Sequence, residues 1–172
     1  DGKISPTALE GYFNCPFRNY AERGLRLKER EETAVMAVDT GNFIHELLEI
    51  TAQNANDIQT EEEMRSFAIE KGKEIMQKPV YAAQADTASG EVFTEKLCKE
   101  GAEVAVAAFR QIKHSNFTVE DTEKSISADF FHGKVDRVDG TEEYVRIIDY
   151  KTGSIDDSAT SYYTGRKLQM QL

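Results

Sequence analysis

The sequence is poor in cysteine, with two in 172 residues, and short of cations, with 21 lysines and arginines against 31 aspartates and glutamates. Two cysteines, Cys15 and Cys98, cannot build the disulfide framework of a small secreted domain, and a reducing intracellular compartment is expected. No apolar run approaches the roughly 18 residues that a bilayer-spanning helix needs, so no membrane partner is expected. The opening DGKISPTALEGYF has neither the cationic head nor the apolar stretch of a secretory leader. The chain does not begin with Met and breaks off at KLQMQL in mid-pattern, so it is expected to be a piece of a longer protein. The net charge of −10 counts against a nucleic-acid binder, because phosphate contacts need Lys and Arg. That objection weakens where carboxylates gather to hold a cation, or where a partner protein supplies the basic surface.

What is present suffices for one domain with a proper core, expected over residues 1–172. Ser5-Pro6 reads as an N-cap followed by proline at the first helical position, opening a helix to about Asn14. Pro16 opens a second, and Gly24 is expected to end it in the left-handed conformation. Asp39-Thr40-Gly41 opens a third, whose Phe43, Ile44, Leu47 and Leu48 share one face. Thr60 with Glu63 forms a capping box for a helix to about Gln77, ended by Pro79. A long helix is predicted from about Glu91 to His114, with a stripe of Leu97, Val104, Ala108, Phe109 and Ile112.

Helices thus occupy about residues 1–115. From Phe117 to about Thr152, β-branched and aromatic residues dominate, and Asp139-Gly140 is predicted to turn a hairpin. Another helix is predicted from about residue 160. This order gives an α+β or mixed α/β fold, a small mixed sheet flanked by helices with a helical N-terminal half.

The chemistry gathers at VRIIDYKTG, Val145 to Gly153. Alternation along a strand points Asp149 and Lys151 to one side, with Tyr150 opposite and Ile147 deeper on the shared face. Asp136, on the preceding strand, is expected near the same edge. Carboxylates brought together repel without a cation, and Mg²⁺ or Mn²⁺ favours such oxygen ligands. A lysine beside the ion can orient water or stabilise charge on a phosphate. Taken singly, these residues have structural readings too. Asp149 and Lys151 could be a salt-bridged strand end, His45 a helix histidine beside Leu48, Asp136 a partner of Arg137 or Lys134, and Gln169 a surface residue.

Taken together, Gly41–Glu49 (GNFIHELLE), Gly133–Asp139 (GKVDRVD), Asp149–Gly153 (DYKTG) and Gly165–Gln169 (GRKLQ) resemble the ordered motifs of the PD-(D/E)xK nucleases, in their RecB-like branch. The opening SPTALEGYFNCPFRNYAERGLRL is similar to the nuclease domains of the AddB-type components of bacterial AddA–AddB helicase–nucleases. The resemblance implies a restriction-endonuclease-like core and a Mg²⁺- or Mn²⁺-dependent exodeoxyribonuclease in the bacterial cytoplasm, leaving a 5′-phosphate. The implied role is processing of double-strand breaks for recombinational repair, on a single DNA strand fed from a duplex end by an AddA-like helicase–nuclease partner.

Residue by residue, the resemblance implies His45, Asp136, Asp149 and the main-chain carbonyl of Tyr150 as metal ligands, and Lys151 as the catalytic lysine. Gln169 matches a helical glutamine that positions the strand or the lysine. Glu123 matches an acid frequent in the family, and its role stays open. Cys15 resembles the first of four ligands of a 4Fe–4S cluster whose other three follow the nuclease core. One thiolate cannot hold a cluster that needs four, so the cluster is expected only in a longer chain and absent here. Cys98 reads as a small buried hydrophobe. Two other readings share these motifs. One is a stand-alone RecB-like exonuclease of phage or CRISPR-associated type. The other is an inactive nuclease-fold module that binds DNA ends or braces a partner.

Overall fold

A computed structural model describes residues 3–27, 37–81, 88–127, 130–153 and 158–168. Proline placement and side-chain caps begin the first elements. Helix α1 spans Pro6–Asn14, with the Ser5 hydroxyl accepting from Ala8 N–H. Helix α2, Pro16–Asn19, passes directly into a π-helical turn, Tyr20–Gly24. Gly24 does not take the left-handed conformation; Arg26 does, at φ 56°. A Cβ on Gly24 would lie 2.8 Å from the Tyr20 ring, so this glycine serves close approach and the left-handed residue falls two positions later than expected.

Helix α3 spans Ala37–Asn54 and α4 spans Glu61–Met76, the latter opened by the reciprocal Thr60/Glu63 capping box. Helix α5 spans Ala88–Lys113. Strands β1 (Thr118–Ser127), β2 (His132–Gly140) and β3 (Val145–Ile148) form a sheet in the order β1-β2-β3, with β2 and β3 antiparallel. Asp139 and Gly140 do not form the hairpin turn. They pair with Arg146 and Val145, and the chain reverses at residues 141–144, where Thr141 N–H donates to the Tyr144 carbonyl. Ile147 is 44% exposed rather than the deeper residue of its face.

Helix α6, Ala159–Tyr163, is short. Gly165 takes φ +73° and its N–H bonds back to the Tyr162 carbonyl, so the helix predicted from residue 160 stops after five residues. Gln169 lies outside the described residues.

The chain forms two compact units. The larger comprises residues 34–124 and 135–152; the smaller comprises residues 1–33, 125–134 and 153–172. In the larger unit α3, α4 and α5 pack together around Phe43, Ile44, Leu47, Leu48, Leu97 and Cys98. A neighbouring cluster of Met64, Val106, Phe109 and Ile112 carries the packing to β1 at Val119. The α5 stripe differs from the expected one at Val104, which is 42% exposed. Helical spacing from Cys98 selects Ala102, Ala105, Phe109 and Ile112 for the core and turns Val104 outward. In the smaller unit, Ile4 bridges Phe131 in parallel register and Leu168 N–H donates to the Glu10 carboxylate at 2.5 Å.

Candidate metal centre

Three chain segments of the larger unit bring the candidate ligands together. Helix α3 is held by the buried face of Phe43, Leu47 and Leu48, which leaves His45 at the rim, its side chain 32% exposed. Strand β2 alternates sides, so Asp136 and Arg137 project in opposite directions. Asp136 meets His45, with Oδ1 3.2 Å from Nδ1, although 91 residues separate them. Its other oxygen, Oδ2, accepts the Tyr150 N–H at 2.6 Å. Both carboxylate oxygens are therefore oriented, one by an imidazole and one by a peptide.

Glu123 is the third member. Ligand atoms of His45, Glu123 and Asp136 all lie within 4.8 Å of one another. Glu123 stands within β1 at φ 53°, a left-handed conformation that a glutamate adopts only at a cost of about 1–2 kcal/mol. Strain of this kind collects at functional sites, where surrounding packing enforces it. The open role of Glu123 thus acquires a location beside two residues singled out from sequence.

Asp149 and Lys151 follow the end of β3. The Lys151 ammonium is ion-paired with Asp149 Oδ2, so the two side chains meet on one side as expected. The Asp149 side chain is 9% exposed and that of Lys151 46%. Asp149 is not one of the three residues whose ligand atoms converge within 4.8 Å. Tyr150 turns its ring toward His45, at 6.3 Å between centroids and 85° between planes. Burial raises the Tyr150 phenol above its ordinary range, and the adjacent Arg137 opposes that shift.

A cavity of about 790 Å³ opens on this cluster, lined by residues that include His45, Glu46, Glu49, Lys78, Glu123 and Thr152. Lys78 is ion-paired with Glu46 across it. Glu49 lies one turn beyond His45 on α3, where helical spacing alone could have placed it; Glu46, the next residue after His45, reaches the cavity from the side of the helix. Lys78 follows α4, and no local signal in the sequence points to it. Cys15, in the smaller unit, is an exposed free thiol at the N-cap of α2, and Cys98 is a buried one.

A mixed set of one imidazole and two carboxylates suits a divalent cation of the Mg²⁺ or Mn²⁺ type, since hard oxygen donors dominate. Without such an ion, Glu123 and Asp136 would bring two carboxylates within 4.8 Å of each other, an arrangement that like-charge repulsion disfavours. The donor chemistry therefore fits the ion.

Fold, site and sequence converge on one class: the chain belongs to the PD-(D/E)XK nuclease superfamily, whose sequence pattern it matches over residues 3–172. Nucleases of this superfamily use divalent metals. Among individual proteins, it is similar to the B component of the ATP-dependent helicase/deoxyribonuclease of Clostridium perfringens (strain SM101 / Type A), 29% identical over 98% of this chain and 17% of that protein. The component of the same name from Listeria welshimeri is 30% identical over 96% of this chain, again 17% of the relative. That of Alkaliphilus metalliredigens is 28% identical over 99% of the chain. The chain spans about 17% of the length of the curated relatives it matches. Among the described residues, no helix is long and apolar enough to cross a membrane.

Proposed function

We propose that this chain is the metal-dependent exodeoxyribonuclease domain of a helicase–nuclease that processes double-strand DNA breaks for recombinational repair. The observation that carries the reading is the convergence of His45, Glu123 and Asp136 in a member of a nuclease superfamily. The Asp149–Lys151 pair stands directly beyond β3, and Thr152 lines the cavity that opens on the cluster. A divalent ion bound there supplies positive charge that polarises a phosphodiester and acidifies water. Asp136, His45 and Glu123 would hold that charge, with Asp149 and the Tyr150 carbonyl as the further ligands that the family motif assigns. Lys151 brings an ammonium to the attacked phosphate, where it orients the nucleophile and offsets developing negative charge.

In the reaction a water oxygen bonds to phosphorus as the P–O3′ bond of the backbone breaks, leaving a 5′-phosphate on one fragment and a 3′-hydroxyl on the other. Its substrate is a single DNA strand fed from a duplex end by an AddA-like partner in the bacterial cytoplasm. Delivery by that partner answers the net charge of −10, which would otherwise repel DNA. Gln169 as a residue that positions the strand or the lysine, and a single nuclease domain over residues 1–172, belong to this reading, as does an iron–sulfur cluster begun at Cys15 in the longer protein. Degradation of end-labelled single-stranded and duplex DNA with Mg²⁺, Mn²⁺ and EDTA tests it. Cutting is expected with either ion and none with EDTA; metal-independent cutting, or cutting by Asp136→Asn at the parent rate, would overturn it.

A further inference from the structure

Arg137 is fully buried, on the side of β2 opposite Asp136. Its Nε and Nη2 grip the Asp139 carboxylate at 2.8 and 3.0 Å, and Nη2 also donates to Gln111 Oε1 at 2.9 Å. The remaining arm, Nη1, donates to the Tyr150 hydroxyl at 2.7 Å. Asp139 is held from its other side by Arg146, through Nη2 at 2.6 Å. A buried ion pair of this kind is weak evidence for stability, because desolvation cancels much of its attraction. What it does confer is a fixed guanidinium plane whose outward arm ends on Tyr150.

Tyr150 is where that rigidity meets the candidate metal centre. Its N–H donates to Asp136 Oδ2 at 2.6 Å, and its ring stands edge-on to His45. One residue therefore contacts two of the three converging ligands, while its hydroxyl is pinned by a buried arginine. We infer that Arg137 is a positioning residue of the metal centre, acting through the Tyr150 hydroxyl to set the orientation of Asp136 and His45. This rests on the metal-site reading above. The alternation of β2 explains the arrangement: Asp136 faces the ligands, so its neighbour Arg137 can influence them only from behind, by way of β3's continuation.

The test is Mn²⁺ affinity of this chain in the absence of DNA, read from the loss of the free-ion paramagnetic resonance signal. Tyr150→Phe deletes only the hydroxyl and keeps the ring against His45. Tyr150→Phe and Arg137→Met are each expected to weaken Mn²⁺ binding roughly 10-fold or more, the usual effect of losing a partner behind a metal ligand. The double variant is expected to be no weaker than the worse single one, since both break one link. Arg146→Met damages the same buried network at Asp139 without touching Tyr150. It is expected to lower the melting temperature and leave Mn²⁺ affinity unchanged.

Parent-like affinity in Tyr150→Phe overturns the inference and leaves the metal reading standing. Equal weakening in Arg146→Met also overturns it, because general loosening would then explain the loss. A parent chain that takes up no Mn²⁺ at millimolar concentration overturns the metal reading itself. Should Arg137→Met fail to fold, Tyr150→Phe and Arg146→Met decide the matter.

Discussion

Lys151 and Asp149 are ion-paired directly beyond the last strand, with the lysine half-exposed and the aspartate nearly buried. The buried carboxylate fixes where the ammonium can sit. Replacing Lys151 by Met is expected to lower DNA cleavage roughly 100-fold or more, the scale of losing one charge-stabilising group. Mn²⁺ affinity is expected to be retained, because Lys151 is no ligand. Single-turnover cleavage and metal titration on the same preparation check the two halves of this expectation.

Asp136 is the proposed ligand whose two oxygens are both oriented, by His45 and by the Tyr150 peptide. Mn²⁺ should stabilise the parent by mass action, about 2.7 kcal/mol at 100 times the dissociation constant. In Asp136→Asn that metal-induced rise in melting temperature is expected to vanish. The metal-free variant is expected to melt close to the parent, since the acceptor lost from one carboxylate oxygen offsets the relief of negative charge beside Glu123. Thermal melts with and without Mn²⁺ measure both.

Glu123 trades stability for position. At φ 53° a glycine is unstrained, so Glu123→Gly is expected to recover about 1 kcal/mol of folding stability. The same change removes a carboxylate from the cluster and should weaken Mn²⁺ binding. A variant both less stable and undiminished in affinity would show that the residue is neither strained nor a ligand; urea unfolding and metal titration provide the readings.

Gly101 allows α5 to approach α3. A Cβ there would lie 2.9 Å from Leu47 Cδ2 and 2.9 Å from Phe43 Cε1, both in the core that holds the His45 helix. Overpacking costs about 1–3 kcal/mol, and alanine's better helix propensity returns about 1 kcal/mol. Gly101→Ala is therefore expected to be destabilised by about 1 kcal/mol in chemical denaturation, and Gly101→Val by more.

Cys98 is 1% exposed, and burial raises its thiol pKa above the ordinary 9.0. The unfolded thiol loses its proton first as pH climbs, so this contribution to stability is intact below about pH 9.0 and is lost as pH rises through the higher folded value. At about pH 8, below either value, iodoacetamide is expected to modify the exposed Cys15 and spare Cys98 in the folded chain. Mass spectrometry of the alkylated protein, native and in urea, distinguishes the two thiols.

The parts of the fold legible in sequence are those governed by local chemistry. Ser5-Pro6 and Thr60/Glu63 announce helix starts because a cap needs only residues three positions apart. The Asp139-Gly140 signal misleads because tertiary demand overrides turn preference. Asp139 is 1% exposed and is the counter-ion that Arg137 and Arg146 share, so it stays in the ladder. Pairing of Asp136 with Arg137, one of the simple readings, fails for a local reason: neighbours on a strand face apart. His45 and Asp136 come from motifs recognisable at a distance, but their 3.2 Å meeting depends on helix packing that no short window contains. The left-handed Glu123 is the least legible of all, since its backbone is set by its surroundings rather than by its type.

The imidazole and the carboxylate that meet at the pocket lie on a helix and a strand 91 positions apart. During synthesis the helix emerges well before its counterpart, so the proposed ion-binding set stays incomplete in a nascent chain until the second strand has left the ribosome. The pocket is thus assembled by one of the last long-range contacts to become available to the chain.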